Sequence, residues 1–131
     1  MLRAIIQPAH KIGVLTYDAG QLTDRHLTEL GIDPATVQIC GALPQGHLRG
    51  FVSQGEPYNP QKVEDELVAQ AKKLVKDAEG KIGAIVLECT NMAPHGEAIR
   101  AATGLPVYDA YTLGEWFYAG INRQNPSSWV K

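Results

Sequence analysis

Residues 83–99, GAIVLECTNMAPHGEAI, run apolar and rich in Val and Ile as far as a thiol, Cys89, and then turn polar around a proline. A cysteine at such a handover from buried strand to helix has two futures. In an open parallel sheet, ligands bind outside the carboxyl ends of the strands, where the following helices present free N–H groups and a positive dipole end. A thiol placed there sits beside donors that favour its thiolate, and it can act as a nucleophile or carry a proton. Thr90 and Asn91 are good N-cap residues and Pro94 suits a first turn, which would bring those donors close to the sulfur. The other future is a small hydrophobe that closes a strand, the condition of most free cysteines. Position leaves both open.

Spacing removes several sharper chemistries. A phosphate-gripping loop needs an arginine six residues after the cysteine, and His95 stands there instead. A hydrolase pair of Cys89 and His95 would require the imidazole to turn back, yet one and a half turns into a helix it is expected to point away or towards solvent. Two separated cysteines and four scattered histidines match no zinc-binding spacing, so no metal is expected. The first apolar run is followed by YDAGQL, with one glycine where a dinucleotide loop needs three. Thr16 ends that run and would lie beside Cys89 if the first and third strands are neighbours, about 4.8 Å apart. Its hydroxyl could hold a substrate carboxylate or, with Asp18, cap a helix start. Cys40 ends the second run, on the order of 10 Å from Cys89 with a strand between them, too far for a disulfide.

The elements that must position these groups alternate. Residues 11–16, 37–43, 82–88 and 106–109 are short apolar runs without polar alternation, as buried parallel strands are. Residues 59–80 carry Val63, Leu67, Ala71, Leu74 and Ala78 at helical spacing, with Asn59 as N-cap, Pro60 in the first turn and Gly80 as C-cap. Shorter helices fit residues 22–31, 93–104 and 112–121. The pattern predicts an α/β fold, a small flavodoxin-like parallel sheet of about four strands with helices on both faces. Residues 44–58 read as a loop, either a lid or interface segment or a merely mobile stretch, and 122–131 as a frayed tail.

At 131 residues the chain is long enough for one core and is taken as a single domain, 1–131. Its 12 basic and 14 acidic residues, formal charge −2, form no basic run, so nucleic acid and anionic membranes are not expected as partners. No apolar stretch approaches the roughly 20 residues of a membrane span, and Pro8 interrupts the start too early for a secretory signal. Cytoplasmic residence with free thiols is the expectation.

Three segments taken together, KIGVLTYDAGQLT, GAIVLECTNM and TGLPVYDAYTL, resemble the aspartate/glutamate racemase superfamily over about residues 11–121. The resemblance implies a cofactor-independent racemase, epimerase or isomerase of a small carboxylate or amino acid, built from two α/β halves with two thiols facing the stereocentre. It makes Cys89 the catalytic thiol of the second, C-terminal-type half, with Thr16, Thr90 and Asn91 as substrate-binding positions, although Asn91 stands where glutamate racemases carry a histidine. Inversion needs one thiolate to remove the Cα proton and a thiol on the other face to return one. A single half is therefore expected to be inactive alone. A carboxylate-binding domain without turnover and a structural remnant are the alternatives. The uncovered cleft side, together with the adjacent aromatics Trp116, Phe117 and Tyr118, points to a partner: a missing N-terminal half or a second copy in a homodimer.

Overall fold

The computed structural model describes residues 1–126 and Trp129. Of the tail expected to fray, 122–126 carry no helix or strand, and Ser127, Ser128, Val130 and Lys131 lie outside the described residues.

Four strands, β1 (Lys11–Thr16), β2 (Val37–Gly41), β3 (Ile82–Leu87) and β4 (Val107–Tyr108), form one parallel sheet in the order β2-β1-β3-β4. This is the α/β sheet that the alternation of apolar runs predicts. Parallel neighbours need crossovers. They are supplied by α1 (Asp24–Glu29) between β1 and β2, by α2 (His47–Gln54) and α3 (Pro60–Asp77) between β2 and β3, and by α4 (Gly96–Thr103) between β3 and β4; α5 (Ala110–Ile121) follows β4.

The core lies where α3 and α4 cover one face of the sheet. Val63, Leu67, Ala71 and Leu74 form the buried stripe of α3 and meet Leu15, Ile85 and Leu87, with Ile99 of α4 closing the cluster. The helix is begun by Asn59, whose Oδ1 accepts the Lys62 N–H at 3.1 Å, with Pro60 at its first position. Beyond its end, Gly80 takes a left-handed φ of 74° and its N–H reaches the Val75 carbonyl at 2.9 Å. Helix and strand approach closely at Gly13: a Cβ there would stand 2.7 Å from a Leu74 methyl, so a larger residue would force Leu74 to shift.

Residues 44–58 are not the loop that their composition suggests, for α2 runs through their middle. Its N-cap, Gly46, has no side chain with which to accept a bond. The Glu66 carboxylate of α3 takes that place, accepting the N–H groups of His47 at 2.6 Å and Leu48 at 3.4 Å. A Cβ at Gly46 would strike that carboxylate and push it off the amides it caps. Leu48 is fully buried, which contributes roughly 1.5–3 kcal/mol, and Gly55 ends the helix with φ 73°. A cap supplied from 18 or 19 residues away leaves no local signature.

α5 differs from the other helices. Trp116, Phe117 and Tyr118 are 63%, 64% and 59% exposed, and Tyr111, Leu113 and Ile121 are exposed with them. Its start is two residues earlier than the spacing suggests, because Asp109 caps it, accepting the Thr112 N–H at 2.8 Å. Among the described residues no helix is long and apolar enough to cross a membrane.

Candidate functional site

The carboxyl ends of β1 and β3 lie side by side, and their pairing continues past the last strand residues. Leu15 is in register with Leu87, and the Glu88 N–H donates to the Leu15 carbonyl at 2.8 Å. One step on, Thr16 faces Glu88, and its buried hydroxyl donates to the exposed Glu88 carboxylate at 2.8 Å. One step further, Tyr17 and Cys89 both pack against the edge of the core. The neighbouring loops anticipated from the sequence are therefore present, but Thr16 points its hydroxyl at a carboxylate of the chain itself. Asp18 does not join Thr16 in a cap: its Oδ1 accepts the Gly20 N–H at 2.9 Å.

Cys89 is half-buried and free. The segment after it is a 3-10 helix, Thr90–His95, before α4 begins. Cys89 itself, not Thr90 or Asn91, occupies the N-cap position, with extended φ and ψ of −83° and 127°, and its carbonyl accepts the Met92 N–H at 3.0 Å. The reason is Met92. That side chain is fully buried, and the tighter winding of a 3-10 turn drops it into the core immediately after the strand. Asn91 folds back so that its Nδ2 lies 3.8 Å from the Cys89 sulfur, as a donor to it. Thr90 lies on the same turn. The structure thus brings Cys89, Thr90 and Asn91 together, with Thr16 one strand away.

His95 does point away from Cys89, but it does not reach solvent. It is 3% exposed, with Nε2 3.1 Å from the Tyr58 hydroxyl and Nδ1 3.5 Å from Glu64 Oε2. Those contacts fasten the 3-10 turn that carries the Cys89 backbone to α3 and to the segment preceding it.

A second wall of the site comes from α2, which the sequence did not show as a helix. Arg49 lies over the Tyr17 ring, its guanidinium carbon 4.9 Å from the ring centre, and pairs with Asp18 at 3.4 Å. The Tyr17 hydroxyl donates to Ser53 at 2.8 Å, and Ser53 donates to the Arg49 carbonyl at 2.9 Å. Arg49 Nε is buried without a hydrogen-bond partner among the described residues, a state that costs about 1–3 kcal/mol. Glu88 and Tyr17 were the participants that residue type and spacing alone did not single out; their places next to Cys89 and Thr16 in the chain were the available signal.

Cys40 gives the contrast. Its sulfur donates to Gln70 Oε1 at 3.2 Å beneath α3, and burial pushes the thiol above its ordinary range, an effect opposed by the Lys73 ammonium and reinforced by Asp77. A cleft of about 300 Å³ lined by Ile5, Ile6, His10, Gly83, Leu105 and Tyr108 lies near the start of β3, the end of that strand opposite Cys89, and holds no thiol.

Among known proteins, the chain is 35% identical over 127 residues to a dimethylsulfoniopropionate lyase of Durusdinium sp. clade D, an alignment covering 92% of this chain and 41% of that relative. It is also 35% identical over 102 residues to dimethylsulfoniopropionate lyase 7 of Emiliania huxleyi, covering 71% of this chain and 28% of the relative. The chain therefore spans less than half the length of these curated relatives. No family model and no solved structure matches it. These findings overturn the resemblance to the aspartate/glutamate racemase superfamily, together with the racemase, epimerase or isomerase activity drawn from it. The relatives are named as lyases, and nothing found points to that superfamily.

Proposed function

We propose that this chain carries the proton-abstracting part of a lyase site acting on dimethylsulfoniopropionate, with Cys89 as the base. The observation that supports the reading is the half-buried Cys89 at the rim of the sheet, in a chain of which 92% aligns with a relative of that name. The substrate is a propanoate whose Cα–H lies between a carboxylate and a carbon bearing a sulfonium. The Cys89 thiolate takes the Cα proton, the C–H pair becomes the Cα–Cβ double bond, and the Cβ–S bond breaks with its electrons going to sulfur. Neutral dimethyl sulfide departs, acrylate remains, and the thiolate has become a thiol. Charge is conserved: the thiolate's negative charge and the sulfonium's positive charge cancel, and the carboxylate keeps its own.

The electron pair explains why one thiol is enough for this chemistry and not for inversion. A racemase must return a proton to the opposite face, whereas in an elimination the leaving sulfur takes up the electrons and needs no proton. Thr90 and Asn91, beside Cys89, are the proposed substrate-contacting groups, and Asn91 keeps the sulfur oriented through its 3.8 Å contact. Thr16 serves by holding Glu88, whose carboxylate is suited to face the sulfonium. The test is to supply this chain with dimethylsulfoniopropionate and follow dimethyl sulfide in the headspace and acrylate by NMR. Release that falls about 100-fold or more in Cys89→Ala is expected. Release no faster than buffer, or release unchanged in Cys89→Ala, would overturn the reading.

We propose also that a second copy of the chain covers α5. Its four aromatics, about three-fifths exposed, offer on the order of 500 Å². Leu113 and Ile121 add to that exposed apolar surface, and twofold dimers are the commonest assembly. Sedimentation equilibrium should give a dimer mass in the low micromolar range that Trp116→Glu shifts to the monomer. A monomer throughout, up to high micromolar concentration, would exclude the second copy.

A further inference from the structure

We infer that Arg49 binds the carboxylate of the substrate and thereby sets the specificity of the site for short carboxylates bearing a cationic group, an inference that rests on Cys89 being the base. The acidic Cα is bonded directly to the carboxylate carbon, so whatever anchors that carboxylate must lie next to the base. Arg49 is brought towards the Cys89 end of the sheet through Tyr17. That ring is carried one residue past Thr16, in step with Cys89 one residue past Glu88, and the guanidinium lies 4.9 Å from its centre.

The donors of Arg49 are also unspent. A guanidinium carries five N–H groups in a fork that matches a carboxylate. Here its side-chain partner is Asp18 at 3.4 Å, well beyond the roughly 2.7–2.9 Å typical of a charge-assisted bond, and Asp18 Oδ1 is already engaged by the Gly20 N–H. A guanidinium that served only to clasp α2 onto the end of β1 would be expected to close on that carboxylate. Instead it is held flat by an aromatic face, with the ring itself tied to α2 through Ser53. Its side chain is 18% exposed, enough to present its outer edge to a small anion. Alternation along the strands completes the picture. Glu88 leaves its strand with Thr16 on the face opposite Leu15 and Leu87, while Tyr17 and the Arg49 guanidinium over its ring belong to the face of α2 and α3. A zwitterion lying across the strand ends would meet a cation at its carboxylate end and an anion at its sulfonium end, with Cys89 on the cation's side of the sheet.

The test uses 3-(trimethylammonio)propanoate, which keeps both charges of the substrate but has a poor leaving group, and its methyl ester, which keeps only the cation. Calorimetric titration of the whole chain should show saturable binding of the acid, weakened at least about tenfold in Arg49→Met and partly restored in Arg49→Lys, with the ester bound equally by all three. Equal binding of the acid by the native chain and Arg49→Met would overturn the inference. Should Arg49→Met fail to fold, Asp18→Asn decides: freeing the guanidinium should leave binding unchanged or tighter, and weaker binding would mean that the pair is a structural clasp. Arg49-dependent binding without dimethyl sulfide release would sink the lyase reading alone. Cys89-dependent release indifferent to Arg49 would sink this inference alone.

Discussion

Cys40 and Cys89 stand at the same end of the same sheet, one on β2 and the other just past β3, and they are given different surroundings. Cys40 lies under α3, its sulfur bonded to Gln70 and its thiol pushed upward by burial. Cys89 lies past its strand, on a 3-10 turn beside Asn91, where no long helix covers it. Residue type, strand-end placement and partial burial are shared, so what distinguishes the two thiols is the partner that the surrounding elements give each of them. Two buried polar residues one turn apart on α3 act in different directions. Gln70 closes over Cys40, while Glu66 reaches the start of α2 and holds it, with Arg49, beside the open end.

The contrast breaks most visibly in activity. Cys89→Ala should lower dimethyl sulfide release by about 100-fold or more, whereas Cys40→Ala should stay within about threefold of the native chain. A comparable loss in both variants would mean that the two thiols work together. Next in size is the scaffold. Glu66→Ala leaves two α2 amides without their acceptor and should lower stability to urea by about 1–3 kcal/mol, with α2 the first segment to lose protection in hydrogen exchange.

Alkylation sharpens the comparison. Near neutral pH, iodoacetamide should modify Cys89 on the order of ten times faster than Cys40, as read from partially labelled peptides by mass spectrometry. Gln70→Ala should narrow that ratio by uncovering Cys40, and equal labelling in the native chain would remove the distinction. The smallest effect is alkaline. Because the folded Cys40 thiol titrates above its ordinary value of 9.0, the unfolded chain loses that proton first as pH rises. Stability should therefore fall slightly from about pH 9 upward, and Cys40→Ala should lack that part of the decline.

Much of the frame was legible. β1 runs from Lys11 to Thr16 as its apolar run does, and Asn59 and Pro60 begin α3 where their types require. The handover at Cys89 was visible because a buried strand and a polar turn differ in composition. The proposed reaction was not, since a thiol at a strand end would suit proton removal whether the proton is then returned or a leaving group departs. The relatives' names, not the residues, separate those outcomes.

By itself, then, the sequence determined what depends on neighbours in the chain: periodicity, the Asn59 cap of α3, the glycines at helix ends, and the strand order that short crossovers allow. The tertiary structure alone decided what depends on groups far apart. Glu66 caps a helix that starts 19 residues before it, His95 turns to Tyr58 across 37 residues, and Thr16 gives its hydroxyl to Glu88 across 72. The physical reason is that a buried donor or acceptor takes whichever partner the packing brings within about 3 Å, and packing is a property of the whole core rather than of any stretch of chain.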